Sequence, residues 1–245
     1  MGWYAVFRRE LLLLRKKVGR LGYVFSSIIS PFIYLTAFGL GLGNRVVDVE
    51  GGYISFLAAG ILAVTIMMNS FQQTASSVST GKLYFHIFQS LILSPIRDVE
   101  VVFGIVLAGM ARAFLFGSLI FLMAWGLFGI SISPLTGLVG ALLGAFCFAS
   151  MGTVVGLLVR HPDDVSMVNN FFIMPMTFFG GSFFPIKNLP EILQVLASFF
   201  PIGSLNLLLR AAEWNDASFK AAAILLGIGI IFFLYAVYLY RNYSE

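Results

Sequence analysis

Apolar runs of about 20 residues recur along the whole of this 245-residue chain. At 1.5 Å of rise per residue, a helix of that length covers a hydrocarbon core of about 30 Å. Strands of alternating polarity are absent, so the runs predict helices rather than a barrel. The composition agrees: 59% of residues are hydrophobic and only 11% are charged, and the mean hydropathy is +0.95. The expected fold is an all-α polytopic membrane protein in a single transmembrane domain. A net charge of +4 does not point to nucleic acid, because the basic residues are placed as topology signals rather than as one face.

Residues 1–20 carry Arg8, Arg9, Arg15, Lys16, Lys17 and Arg20, with Trp3, Phe7, Leu11, Leu14 and Val18 at steps of three and four. That pattern predicts an amphipathic helix lying on the membrane surface. A cleaved signal peptide fits less well, since the apolar run that follows is too long and no small-residue cleavage site ends it. Six spans are expected at 22–43, 53–75, 101–128, 135–159, 165–181 and 219–240. Pro31 kinks the first, and Gly137, Gly140, Gly144 and Ala145 suit close packing of the fourth.

Between the last two spans the pattern changes. Asn188, Pro190 and Glu191 predict a capping box, followed by an apolar helix that Pro201 breaks and a second short piece that stops at Arg210. Both are too short to cross, so residues 188–210 predict an external re-entrant pair. With six crossings, one side holds the six cations of residues 1–20 plus Lys82, Arg97, Arg160 and Arg241, against Arg45, Lys187, Arg210 and Lys220 on the other. The excess places both termini in the cytoplasm of a plasma (inner) membrane. The longest connector on that side, residues 81–98, interrupts the apolar pattern with Lys82, His86, Gln89, Arg97 and Asp98. It reads as a docking surface.

The chemistry that is missing narrows the function. No Asp or Glu lies in the middle of a span, which disfavours proton- or sodium-coupled transport. The one central charge, Arg112, either attracts an anion beside a substrate path or pairs with backbone carbonyls or with the polar end of the second span to fix packing. Asn69, Gln72 and Gln73 at that end, with Asn169 and Asn170 of the fifth span, are candidates for the path or for interhelical hydrogen bonds. Gly81-Lys82 lacks the strand and first glycine of a phosphate-binding loop. His86 and His161 have no metal-ligand spacing, Cys147 is the lone cysteine, and no serine has a nucleophile's surroundings. No catalytic or metal-binding residue is expected. Three classes remain: a pore-forming subunit driven by a separate engine, a passive channel or scaffold without an ATPase, and a lipid-modifying membrane enzyme assembled from distant spans.

The order of several short stretches resembles the membrane subunits of type-2 ABC exporters, the ABC-2 permease family. They are Leu91 to Ile96 (LILSPI) with Glu100 and Gly104; Gly109-Met110-Ala111-Arg112; Met174 to Pro185 (MPMTFFGGSFFP); and Phe200-Pro201-Ile202. The resemblance implies a half-transporter that pairs with a second permease copy, as a homodimer or heterodimer, and with two cytoplasmic ATPase subunits that carry ATP and Mg. It implies that this chain binds no cofactor itself. By position, the family's coupling helix falls on residues 82–91, with Lys82, Tyr84, Phe85, Ile87, Phe88 and Gln89 as candidate ATPase contacts. Relatives often carry glutamate where Gln89 and Ser90 stand, so packing rather than charge is the expected contact here. Asn188, Glu191, Pro201 and Arg210 would frame an external gate. The implied activity is export of an amphipathic substrate such as a lipid, a drug or natural product, or a lipid-linked glycan, from the cytoplasm or inner leaflet.

Overall fold

The computed structural model describes residues 2–19, 21–42, 52–85, 87–92, 94–129, 133–161 and 163–242, all helical or in short connections. Arg20, Arg45, His86, Leu93 and most of the 44–52 loop lie outside the described residues. Helix α1 spans Gly2–Val18, α2 Leu21–Leu42, α3 Tyr53–Leu83, α4 Ile87–Ile92, α5 Asp98–Phe128 and α6 Pro134–Leu158. There follow α7 (Asp164–Val168), a π-helical turn (Asn169–Ile173), α8 (Met174–Phe179), α9 (Glu191–Ser198), α10 (Pro201–Arg210) and α11 (Asp216–Arg241).

Among the described residues, four helices are long and apolar enough to cross a membrane: α3, α5, α6 and α11. A fifth crossing results if α9 and α10, bent 85° from one another, count as one broken span. This is a multi-pass helical membrane protein. Six full spans were expected, and two of them do not reach that length. Within α2 the apolar stretch is Ser27–Gly39. The 164–179 segment changes from α to π and back, and at 1.5 Å per residue it covers only about 24 Å.

Among the described residues the core forms three main layers along the bundle, beside a small cluster of Ala75, Val159 and Val165. In the middle, Ala63, Met67 and Phe71 of α3 meet Ala145 and Phe148 of α6, Ile202 and Leu205 of α10, and Leu225 of α11. At the end where α1 lies, Val6, Val78, Phe88, Val101, Val154 and Tyr240 form a second layer. At the other end Leu35, Tyr53, Leu57, Ile120 and Phe183 form the third. Helix α3 is central, with 72% of its apolar window buried within the chain, whereas α11 is peripheral at 17%.

Small residues set these distances. A Cβ on Gly152 of α6 would collide with the Phe71 carbonyl oxygen and Cα, so α3 and α6 pack backbone to backbone there. Two of the glycines expected to serve close packing of α6, Gly140 and Gly144, do so against α10: a Cβ on Gly144 would meet Leu205 Cδ1 at 2.8 Å. Helix α5 ends on Gly129, in the left-handed region at φ 65, from which the chain turns back into α6.

The expected capping box is not formed. Asn188 closes a 3₁₀ turn, and Pro190, which has no N–H to offer, occupies the position before α9 without a side-chain cap. A side-chain N-cap does start α11, where Asn215 Oδ1 accepts from Ser218 N at 2.8 Å and from Ser218 Oγ at 3.0 Å.

Candidate functional site

Three groups of side chains carry the polar chemistry. The first is the 81–98 connector. Helix α3 extends into it as far as Leu83, so Lys82 belongs to the last turn of a long helix rather than to a separate docking helix. Its amine is buried and donates to the carbonyls of Leu157 at 2.6 Å and Val159 at 2.8 Å. Those carbonyls close the end of α6, where a lysine suits the negative end of the helix dipole. Lys82 is therefore a brace between α3 and α6. Phe88 of α4 is also inside, 1% exposed, with its ring 5.6 Å from that of Tyr240. Neither residue offers a free docking face, which corrects the expectation for both. Tyr84 and Phe85 are the reverse, 68% and 69% exposed at the tip of the connector, and Ile87 is half-buried beneath them. Gln89 lies in α4, and its side chain is outside the described residues.

The second group surrounds Arg112. Its guanidinium is buried in α5, where Nη2 donates to Glu10 Oε2 at 2.5 Å and Nη1 donates to the Gln73 carbonyl at 3.3 Å. Glu10 is 3% exposed and also accepts from Arg9 Nη2 and Ser77 Oγ, both at 2.7 Å. One carboxylate thus joins α1, α3 and α5. Burial alone would push the Glu10 carboxyl up, but Arg112, Arg9 and Ser77 together outweigh it and hold the group below its ordinary value of 4.5.

Of the partners proposed for Arg112, the backbone carbonyl and the end of α3 are both used through Gln73, while the principal partner, Glu10, was not foreseen. The signal was available: Glu10 is the only acid in residues 1–20 and lies four residues from Val6 and from Leu14. Val6, Glu10 and Leu14 form the buried face of α1, rotated from the face that the apolar residues alone suggest and sharing Leu14 with it. Close approach allows it. A Cβ on Gly104 of α5 would sit 2.7 Å from the Trp3 carbonyl oxygen.

The third group is a cavity of about 330 Å³ between α2 and α3, lined by Ser27, Ser30, Tyr34, Thr65, Asn69, Gln72, Gln73 and Phe183, among others. The structure brings Asn69, Gln72 and Gln73 together here. Asn69 Nδ2 also donates to the Thr65 carbonyl of its own helix at 2.9 Å. Asn169 and Asn170 are not part of this lining. They begin the π-helical turn, Asn169 buried and Asn170 exposed beside the exposed rings of Phe171 and Phe172.

At the other end of the bundle the four gate candidates separate. Asn188 and Glu191 are exposed, whereas Pro201 is buried at the start of α10. Arg210 Nη2 donates to the Phe56 carbonyl at 3.1 Å and to the Ser182 carbonyl at 3.4 Å, and its guanidinium carbon lies 3.5 Å from the Phe56 ring centroid. It ties α10 to α3 and to the 180–183 turn. Asn206 reinforces that tie, donating to the Gly180 carbonyl and to Ser182 Oγ, both at 3.0 Å.

Among the described residues, no group of three or more His, Cys, Asp or Glu could hold a metal ion. The chain is 28% identical over 220 residues to Nodulation protein J of Sinorhizobium fredii, covering 86% of this chain and 80% of that protein. It is 29% identical to Nodulation protein J of Rhizobium leguminosarum bv. viciae, over 94% of this chain and 88% of that one. The inner membrane transport permease YadH of Escherichia coli K12 is 29% identical over 71% of this chain and 69% of its own length. Residues 1–214 match the ABC-2 type transporter family. The chain therefore belongs to that family, as a membrane permease subunit of an ABC-type transporter that has no nucleotide-binding motif of its own.

Proposed function

We propose that this chain is one of two permease copies in an exporter driven by a pair of cytoplasmic ATPase subunits, and that Tyr84 and Phe85 dock into the ATPase. The reading rests on one observation above all: two aromatic rings stand exposed at the tip of the connector between α3 and α5, while the residues behind them are fixed in the core. A rigidly backed aromatic pair is a suitable anchor for a partner's pocket. Force applied there acts directly on α3, the central helix, so closure of two ATPases can move the bundle as a body. Both termini are cytoplasmic in this reading, α1 lies at the inner surface, and α2 and the 164–179 segment complete six crossings. The exposed Phe171, Phe172, Phe178 and Phe179 face the second permease copy.

The substrate is amphipathic and leaves the inner leaflet along the amide- and hydroxyl-lined cavity between α2 and α3. Its lining is neutral, with two aromatic rings, Tyr34 and Phe183, beside six hydroxyl or amide side chains. Such a surface suits a hydroxyl-rich head group such as a glycan better than a charged one.

The test is ATP hydrolysis in lipid nanodiscs by this chain co-purified with its ATPase, comparing wild type with Phe85→Asp. Loss of complex and of stimulated turnover, with unchanged thermal stability of the membrane subunit, is expected. An unaltered complex would move the ATPase contact away from Phe85, and failure of any ATPase to co-purify would overturn the ATPase-driven reading.

A further inference from the structure

A second polar cavity, of about 350 Å³, opens between α1, α3, α5 and the connector, on the other side of Gln73 from the α2–α3 cavity. Its composition differs. Lys16 and Lys17 of α1 and Arg112 of α5 line it with Gln73, Ser76, Ser77 and Thr80 of α3, and Leu13, Leu14, Phe85 and Ile87 supply apolar wall. Its lining carboxylate, Glu10, bonds Arg9, Arg112 and Ser77, and three cations, Lys16, Lys17 and Arg112, share the wall with it. Ser76 and Thr80 stand one helical turn apart on α3, where they share a face.

We infer that this cavity is a binding site for the phosphate head of an amphipathic molecule, with Lys16 and Lys17 as the cationic clamp and Ser76 and Thr80 as hydroxyl donors. Several convergent donors match the three acceptor oxygens of a phosphate better than the two of a carboxylate. The apolar wall formed by Leu13, Leu14, Phe85 and Ile87 accommodates the non-polar body that such a head carries in a membrane, and the volume lies within the range of small-molecule sites. The Lys17 amine is held below its ordinary value by burial and then by Arg112, against an opposing pull from Glu10. The site rests on the reading of α1 as lying at the inner surface of the membrane, but its test does not involve the ATPase.

The experiment is calorimetric titration of the purified full-length chain, in neutral detergent micelles, with dioctanoyl phosphatidic acid. Dioctanoylglycerol supplies the same chains without phosphate, and inorganic phosphate supplies the anion without chains. Wild type should bind phosphatidic acid and not dioctanoylglycerol, and Lys16→Gln/Lys17→Gln should weaken binding by about tenfold or more. Thr80→Val should weaken it less. Arg8→Gln/Arg15→Gln removes two charges from exposed positions of α1 outside the cavity wall and should leave affinity unchanged. If inorganic phosphate binds as tightly, with the same loss in the lysine variant, the phosphate site stands and its ligand is the free ion. Equal weakening by the two double variants, equal binding of dioctanoylglycerol, or absence of phosphatidic acid binding overturns the assignment. A missing ATPase contact would leave all these outcomes readable.

Discussion

Replacing Glu10 with alanine tests whether α1 is a structural part of the bundle or a surface helix that merely rests on it. The carboxylate is 3% exposed and Arg112 is 5% exposed. Removing it would leave the Arg112 guanidinium buried, with the Gln73 carbonyl at 3.3 Å as its remaining acceptor, and would leave Ser77 without its acceptor. Breaking a buried pair from one side costs about 3–5 kcal/mol, against about 0–1 kcal/mol for an exposed one. For a chain of this size the larger figure corresponds to a fall in melting temperature of about 6–20 °C. The assay is thermal unfolding of the purified protein in detergent, with Glu10→Leu/Arg112→Met as the second arm. Removal of both charges should recover most of the loss, because no unpaired ion remains. A single substitution costing less than about 1 kcal/mol, or a double variant no better than the single, would refute the buried pair. The pH dependence has a fixed sign. The folded-state value of Glu10 lies below 4.5, so its contribution is fully present above the unfolded value and is lost as pH falls through the folded one. Between pH 7 and pH 5 this group should leave stability unchanged, and acid destabilisation should begin below about 4.5 in wild type and be weaker in the double variant.

Phe88→Ala should lower stability by about 3–5 kcal/mol through loss of its buried packing, the contact with Tyr240 included, read by the same thermal assay, while Phe85→Asp should leave the melting temperature unchanged and weaken ATPase binding. Lys82→Met removes the donor to two carbonyls at the end of α6, and about 1–3 kcal/mol of destabilisation is expected, with faster amide exchange around residues 155–160 as its local signature. Gly152→Ala would drive a methyl into the Phe71 carbonyl oxygen, and the resulting separation of α3 from α6 should cost about 1–3 kcal/mol. Gly126, whose added Cβ would meet nothing within 4 Å, is its control: alanine there should be neutral or slightly stabilising.

Hydropathy made the long helices legible because α3, α5, α6 and α11 are apolar over more residues than a bilayer requires. The Pro201 break was equally plain, and the 85° bend between α9 and α10 is its geometric result. Helix ends were less so. Helix α3 continues to Leu83 through its run of serines and Thr80, with the Ser77 hydroxyl donating to Glu10 and that of Ser79 to the Ser76 carbonyl. The π-helical turn at Asn169–Ile173 has no pattern in the residues that would announce it, since a single extra residue per turn leaves the apolar content unchanged.

The candidate site divided along the same line. Which polar residues lie within the spans can be counted from sequence, but which of them answer one another depends on the contact partners. Lys82 and Arg210 read as topology signals, one on each side, yet both end on backbone carbonyls at helix or turn ends. Phe85 and Phe88 are three residues apart in one short connector and look alike in sequence. Burial of Phe88 in the layer that includes Tyr240 separates a packing residue from an exposed one. Glu10 shows the limit most clearly. As the one acid in a basic helix it could be balanced by any of its neighbours in the chain, and it does bond Arg9. Its deeper partner lies 102 positions away. The close approach at Gly104 brings α1 against α5 near enough for that pair to form, and with it the walls of the phosphate cavity. A substitution that enlarges Gly104 should therefore weaken phosphatidic acid binding and lower the melting temperature together, whereas Lys16→Gln/Lys17→Gln should weaken binding alone. Separation of those two effects would establish that α1 holds the site in place through its buried face and binds through its C-terminal turn.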